Sequence, residues 1–165
     1  MELRHAAAGV AAVAIAVAAG VVAGDAVAER QESDDAVGQP GSAHIHASFV
    51  VAVNGSAKTL NRSYLERAAR VHLHGTDNVL HVHAENVDLD YTLRTLDIHI
   101  NQSCIRFGLE EETVCGGRTG VTVNGEAVPL DEALNRAIEQ GDSIVVWTGE
   151  QRPEGLGQEL PPAYR

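Results

Sequence analysis

Six of the eight histidines in this 165-residue chain fall into three His-x-His pairs, His44/His46, His72/His74 and His81/His83. A spacing of two is the period of a β-strand, which sends both side chains of a pair to the same face of a sheet. Each pair is also interleaved or followed by strand formers: Ile45 with Phe49-Val50-Val51, Val71 with Leu73, and Val79-Leu80 with Val82. The feature therefore predicts three strands and places their imidazoles in pairs, so that neighbouring strands can gather as many as six rings on one surface.

Four of the six belong to one predicted hairpin. Val71–His74 and Val79–Ala84 flank Gly75-Thr76-Asp77-Asn78, a run of turn formers. An even number of turn residues keeps His72 and His74 on the face of His81 and His83, whether the turn centres on Thr76-Asp77 or on Asp77-Asn78. Val71, Leu73, Leu80 and Val82 then form the opposite, buried face. His44/His46 joins this surface only if its own strand borders the hairpin with matching parity.

Neutral imidazole is the commonest metal ligand, and ligands on adjacent strands lie close enough to converge on one ion. His44, His46, His72, His74, His81 and His83 are thus the candidate metal ligands. With no methionine beyond Met1, soft Cu(I) sites lack donors, and an all-nitrogen set suits Zn(II), Cu(II) or Ni(II), of which zinc or copper is favoured here. Asp77, Glu85 and Asp88 are candidate further ligands or acceptors for ring N–H groups. The competing reading is a solvated polar face that alternates with core residues. His99, alone between Ile98 and Ile100, reads as a structural residue, and His5 belongs to the targeting segment.

Residues 6–24 are uncharged and nearly all Ala, Val, Ile and Gly, roughly 19 residues against the ~20 that cross a bilayer as a helix. Ala26-Val27-Ala28 has the form of a signal-peptidase site. Residues 1–28 are therefore expected to be a signal peptide or a membrane anchor. Residues 29–43, polar and containing Pro40-Gly41, are expected to form a flexible tether. The remainder would be extracytoplasmic, with membrane contact only through 6–24. The formal charge of -11, with 23 acidic against 12 basic residues, argues against nucleic acid as a partner. Lys58 is the only lysine, and acid excess with so little lysine resembles the composition of proteins from salt-loving archaea. A metal ion is the expected partner.

The fold class expected is α+β, with a histidine-rich antiparallel β module over 44–90, a second module over 91–149 and an irregular, exposed tail over 150–165. In the first, Asn54-Gly55 predicts a hairpin returning through Ser56–Leu60, and Arg62–Arg70 a short helical turn. In the second, Tyr91–Leu96 reads as a short helix, Ile98–Phe107 as a strand, Glu110–Glu112 as a charged turn and Val114-Cys115 as the return. A second Asn-Gly hairpin follows at Asn124-Gly125, then a helix over Asp131–Gln140 and a strand over Ile144–Trp147. Cys104 and Cys115, outside the cytoplasm and even in number, read as a structural disulfide. The C-x-x-C redox spacing is absent.

The run V-x-V-N-G-E-x-V followed by G-D-x-I-V-V-W, residues 121–147, resembles the closing strands of ubiquitin-like β-grasp domains, over about residues 92–149. That resemblance implies a β-grasp-like second module. The Gly-Gly carboxyl terminus of the sulfur carriers has no counterpart here, so that activity is not implied. The histidine pairs followed by T-L-x-x-L, two cysteines and a V-N-G strand also resemble a group of exported archaeal proteins of uncertain function, some loosely named protein-disulfide isomerase. A metal-binding protein for zinc or copper storage, delivery or sensing fits these features best. A metal-dependent enzyme at the same cluster, a thiol-disulfide protein and an envelope interaction protein are the alternatives. The chain carries no H-E-x-x-H or G-x-S-x-G motif in support of catalysis.

Overall fold

The structure, a computed structural model, describes residues 34, 36–60, 68–74, 78–157 and 159–165, without the side chain of His74. The apolar run 6–24, the segment 61–67 and the turn residues 75–77 lie outside the described residues. No helix among the described residues is long and apolar enough to cross a membrane. The chain divides after Ala36, and Val37–Arg165 forms one unit.

That unit is β-rich α+β. Its strands are β1 (Ile45–Val53), β2 (Ser56–Ala57), β3 (Val71–His74), β4 (Val79–Val82), β5 (Ile98–Ile100), β6 (Cys104–Phe107), β7 (Glu112–Cys115), β8 (Arg118–Val123), β9 (Glu126–Val128) and β10 (Ser143–Gly149). Two short helices accompany them among the described residues, α1 (Leu89–Thr95) and α2 (Leu130–Leu134). A seven-stranded mixed sheet has the order β3-β4-β1-β10-β8-β9, with β2 also on β1, and a three-stranded sheet has the order β5-β6-β7. The segments 44–90 and 91–149 therefore share one sheet, because β1 and β10 pair in parallel from Ser48↔Ser143 to Val53↔Thr148.

Being central, these two strands are covered on both faces, which is why each reads as a continuous apolar run. Ala47, Phe49 and Val51 face the larger core with Leu89, Leu93 and Leu96 around α1 and Ile98, Ile105 and Phe107 from the small sheet. Val50, Ala52, Val145 and Trp147 form a smaller cluster on the opposite face, packed against Leu156 of the tail. Both Asn-Gly pairs make the expected tight turns: Asn54 and Gly55 have φ of 50° and 82°, Asn124 and Gly125 of 54° and 84°. Only Gly and, less readily, Asn adopt two successive left-handed conformations, as this turn requires.

Four local expectations need correction. The described unit Val37–Arg165 takes in residues 37–43, expected to belong to the tether, and Val37 is buried. The Gly38 N–H donates to Glu85 O at 2.8 Å and Gly41 N–H to His83 O at 2.6 Å, so this part of the expected tether lies along the end of β4. The strand expected over Ile98–Phe107 is broken into β5 and β6 because Asn101 Oδ1 accepts from both Ser103 N–H and Cys104 N–H at 2.9 Å, turning the chain. The helix expected over Asp131–Gln140 ends at Leu134. Beyond it Leu89 N–H bonds Arg136 O and Ile138 N–H bonds Val87 O, a tertiary alternative to helical bonding. The returning strand after Asn54-Gly55 is only Ser56–Ala57, since β4 takes the rest of that edge of β1.

Cys104 and Cys115 are directly opposed on β6 and β7 and form a disulfide. Closing a loop of this length stabilises a domain by roughly 2–3 kcal/mol in the chain-entropy account. Replacing both cysteines by serine is expected to lower stability by that amount in chemical denaturation, with the β-sheet circular dichroism spectrum retained. An unchanged denaturation midpoint would show that the bridge does not constrain the unfolded chain.

Asp142, 3% exposed, joins the loop before β10 to the β8–β9 turn. Its carboxylate accepts from Arg136 at 2.6 and 3.2 Å, from Glu139 N–H at 2.9 Å and from Asn124 Nδ2 at 3.0 Å. Burial on its own pushes this carboxyl up, but the hydrogen bonds from Arg136, Glu139 and Asn124 outweigh it and hold it below its ordinary value. A depressed folded value contributes stability that is present above about pH 4 and lost as pH falls through the folded value. Asp142→Asn is expected to cost about 2–4 kcal/mol near pH 7, because it leaves Arg136 with a weaker partner, and less in acid. Urea denaturation at pH 7 and pH 3 checks this; an equal loss at both would refute the ionic account.

Candidate metal centre

The larger core ends at the N-terminal end of β1, and there the strand's polar side chains meet those of the hairpin. His46 lies opposite His81 on β4, and His81 lies opposite His72 on β3. This register meets the parity condition under which His44/His46 shares a face with the hairpin. It is also the register of a turn centred between residues 76 and 77. Three imidazoles thus stand in a row across three strands, and His44 and His83 follow one step along.

The five rings close into a loop. Centroid separations are 4.8 Å for His44–His46, 4.6 Å for His46–His81, 5.6 Å for His81–His72, 5.1 Å for His72–His83 and 5.0 Å for His83–His44. Two groups of three could hold a metal ion, His44/His46/His81 and His72/His81/His83, each with one nitrogen per ring within 4.8 Å of the others. Tetrahedral ligation at about 2.0–2.1 Å places donor atoms roughly 3.4 Å apart, which ring rotations of this size reach. His44 Nε2 and His46 Nε2 already stand 3.2 Å apart. That contact requires one ring to donate and the other to accept, so a cation bound between them would replace the shared proton.

Tautomers follow from the partners. Ala68 O lies 3.1 Å from His72 Nδ1, and a carbonyl only accepts, so Nδ1 carries the proton and Nε2 offers its lone pair. His46 is fixed through its backbone: its N–H donates to Gln140 Oε1 at 2.8 Å, and Gly141 N–H donates to His46 O at 2.9 Å. Gln140 Nε2 in turn donates to Tyr164 O at 2.9 Å. The Tyr164 ring lies 5.0 Å from His46 and 5.3 Å from His81, edge-on to the latter.

The tail expected to be exposed therefore covers the face that the histidines occupy, with Leu160 buried and Tyr164 at the rim of the cluster. Sequence reasoning missed Gln140 and Tyr164. The only signal for Tyr164 was that it is the lone aromatic in a proline-rich tail, and nothing marked Gln140.

Other candidates are not brought in. Asp88 caps α1, its Oδ1 accepting from Tyr91 N–H at 2.7 Å, and Glu85 belongs to neither group. Asp77 and the His74 side chain lie outside the described atoms. His99 sits in the small sheet opposite Arg106, 3.0 Å from Asp97 Oδ1. Both described groups thus offer imidazole nitrogen alone, the donor set of a borderline divalent ion rather than of Mg²⁺ or Ca²⁺. The chain matches no protein family, no curated protein and no solved structure.

The His46 imidazole is held below its ordinary value, chiefly because burial disfavours the imidazolium and also because His44 stands beside it; a hydrogen bond to the Tyr164 backbone works the other way. The neutral ligand form is thereby favoured. Stability linked to this ring is complete above about pH 6.5 and falls as pH drops from there toward the folded value. In metal-free protein, ¹H–¹⁵N NMR is expected to show His46 titrating below 6.5; titration at or above that value would contradict the burial argument.

Proposed function

We propose that this protein is an extracytoplasmic metal-binding protein that holds zinc or copper on its strand-borne histidines for storage, delivery or sensing. Residues 6–24 would tether it to a membrane or direct its export before cleavage. The observation that carries the reading is the convergence of five imidazoles, three on adjacent strands and two one residue beyond the strand ends, into two groups without a carboxylate. A solvated polar face does not require convergence, since water satisfies each ring separately. Imidazoles paying the entropy of order around one point are instead suited to a shared cation.

Other features support the reading. The apolar run and the small-x-small motif at residues 26–28 favour export, and the Cys104–Cys115 disulfide fits an oxidising compartment. The charge of -11 raises the local concentration of cations around a neutral donor set. The central parallel pair β1/β10, flanked by the β8–β9 hairpin and covered by α1, supports a β-grasp-like reading in which β1 belongs to the motif together with the strands after residue 91. In that reading the β3–β4 hairpin is an addition that carries the histidines to the edge of the sheet.

His81 belongs to both groups, whereas His99 belongs to neither. In calorimetric titration of the full chain, purified without an affinity tag and stripped by chelator, Zn(II) or Cu(II) is expected to bind more tightly than to a flexible hexahistidine tag. His81→Ala is expected to weaken binding at least about 100-fold, beyond the effect typical of losing an outer hydrogen bond, and His99→Ala to leave it unchanged. Wild-type binding no tighter than the tag's would sink the proposal.

A further inference from the structure

Resting on the metal-binding reading, we infer that the histidine array is a one-ion site with two positions, in which His81 stays bound while a divalent ion passes from an outer to an inner set of partners. The outer position is His44/His46/His81 and the inner is His72/His81/His83. His81 is the one residue common to both, and it occupies the middle of the row, paired across one strand with His46 and across the other with His72.

Sharing His81 makes the two positions exclusive. A neutral imidazole has one lone pair, its second nitrogen carrying a proton, so His81 serves one ion at a time unless it also loses that proton. Two ions would require an imidazolate bridge between two dications. The remaining ligands, His44, His46, His72 and His83, are neutral, and neither group contains a carboxylate to offset the second charge. Repulsion between closely spaced dications in a partly buried site, with no anion between them, disfavours double occupancy.

The positions differ in ways that give the exchange a direction. His44 is exposed and His46 half-buried, so the outer group meets the solvent first. His72 and His83 are both half-buried. The His72 ring is oriented in advance by Ala68 O, which leaves Nε2 as its donor, and it lies parallel to His81 with an interplanar angle of 2°. An ion captured by His44 and His46 exchanges these rings for His72 and His83 one at a time, with His81 retained, so no step leaves it without protein ligands. Each exchange replaces one nitrogen–metal bond by another, and no proton or electron changes hands beyond those released on first binding.

The test is zinc stoichiometry and kinetics in the full chain. Calorimetry with elemental analysis is expected to give one Zn(II) per wild-type chain. The variants His44→Gln/His46→Gln and His72→Gln/His83→Gln are each expected to keep one ion, and the quadruple variant none. Stopped-flow uptake is expected to slow at least tenfold when the outer pair is changed, and chelator-driven release to accelerate at least tenfold when the inner pair is changed. Two tight ions per wild-type chain, or loss of all binding in either double variant whose circular dichroism spectrum is native, would overturn the two-position scheme while leaving metal binding intact. No zinc on the wild-type chain would remove both. The wild-type stoichiometry decides the first point even if a variant fails to fold.

Discussion

The parallel pairing of β1 with β10 is the constraint on which the rest of the structure depends. It joins the first strand of the folded unit to the last along six residue pairs, from Ser48↔Ser143 to Val53↔Thr148. A parallel pair cannot be closed by a tight turn and needs a long crossover, and here every other strand and both described helices lie within that crossover. The pairing also continues past the ladder: Ser48 N–H bonds Asp142 O and Gly141 N–H bonds His46 O. The loop entering β10 thus holds the strand end on which His46 stands, and the histidine surface depends on contacts made by the last part of the chain.

The same pairing sorts the two faces. With β1 central, alternate residues supply two apolar clusters, and the histidines lie in line with the smaller one, on the side of Val50, Ala52, Trp147 and Leu156. The apolar cluster on that face is packed against Leu156 of the tail. Its covering thins toward the N-terminal end of β1, so His81 is 8% exposed while His44 is open to solvent. Burial at His46 favours the neutral ring there, since desolvation opposes protonation.

Ion pairs among the described residues tie separate segments together. Lys58, the only lysine, lies 2.8 Å from both Glu110 and Glu112 and over the Phe107 ring, fixing the β6–β7 connection of the small sheet to the segment after β2. Asp142 is paired with Arg136. Neither of the two histidine groups includes a carboxylate.

Much of the fold was legible locally. Period-two histidine pairs specify strands and a common face, and two Asn-Gly turns specify hairpins because few residues tolerate two left-handed conformations. Elements whose ends depend on distant partners were not legible: the helix after Pro129 stops where residues 136–138 bond residues 87–89, and the Asn101 turn divides what reads as one strand. By itself, then, the sequence determined that the imidazoles of each pair point together and that the cysteines can pair, since strand period and compartment chemistry are local or compositional facts. Which strands are neighbours, that His46 and His72 flank His81, and that Gln140 and Tyr164 close the rim were decided only in the tertiary structure. Those relations join residues up to 118 positions apart, as between His46 and Tyr164, and no local periodicity encodes them; they follow from the burial of both faces of β1, which only the whole sheet can provide.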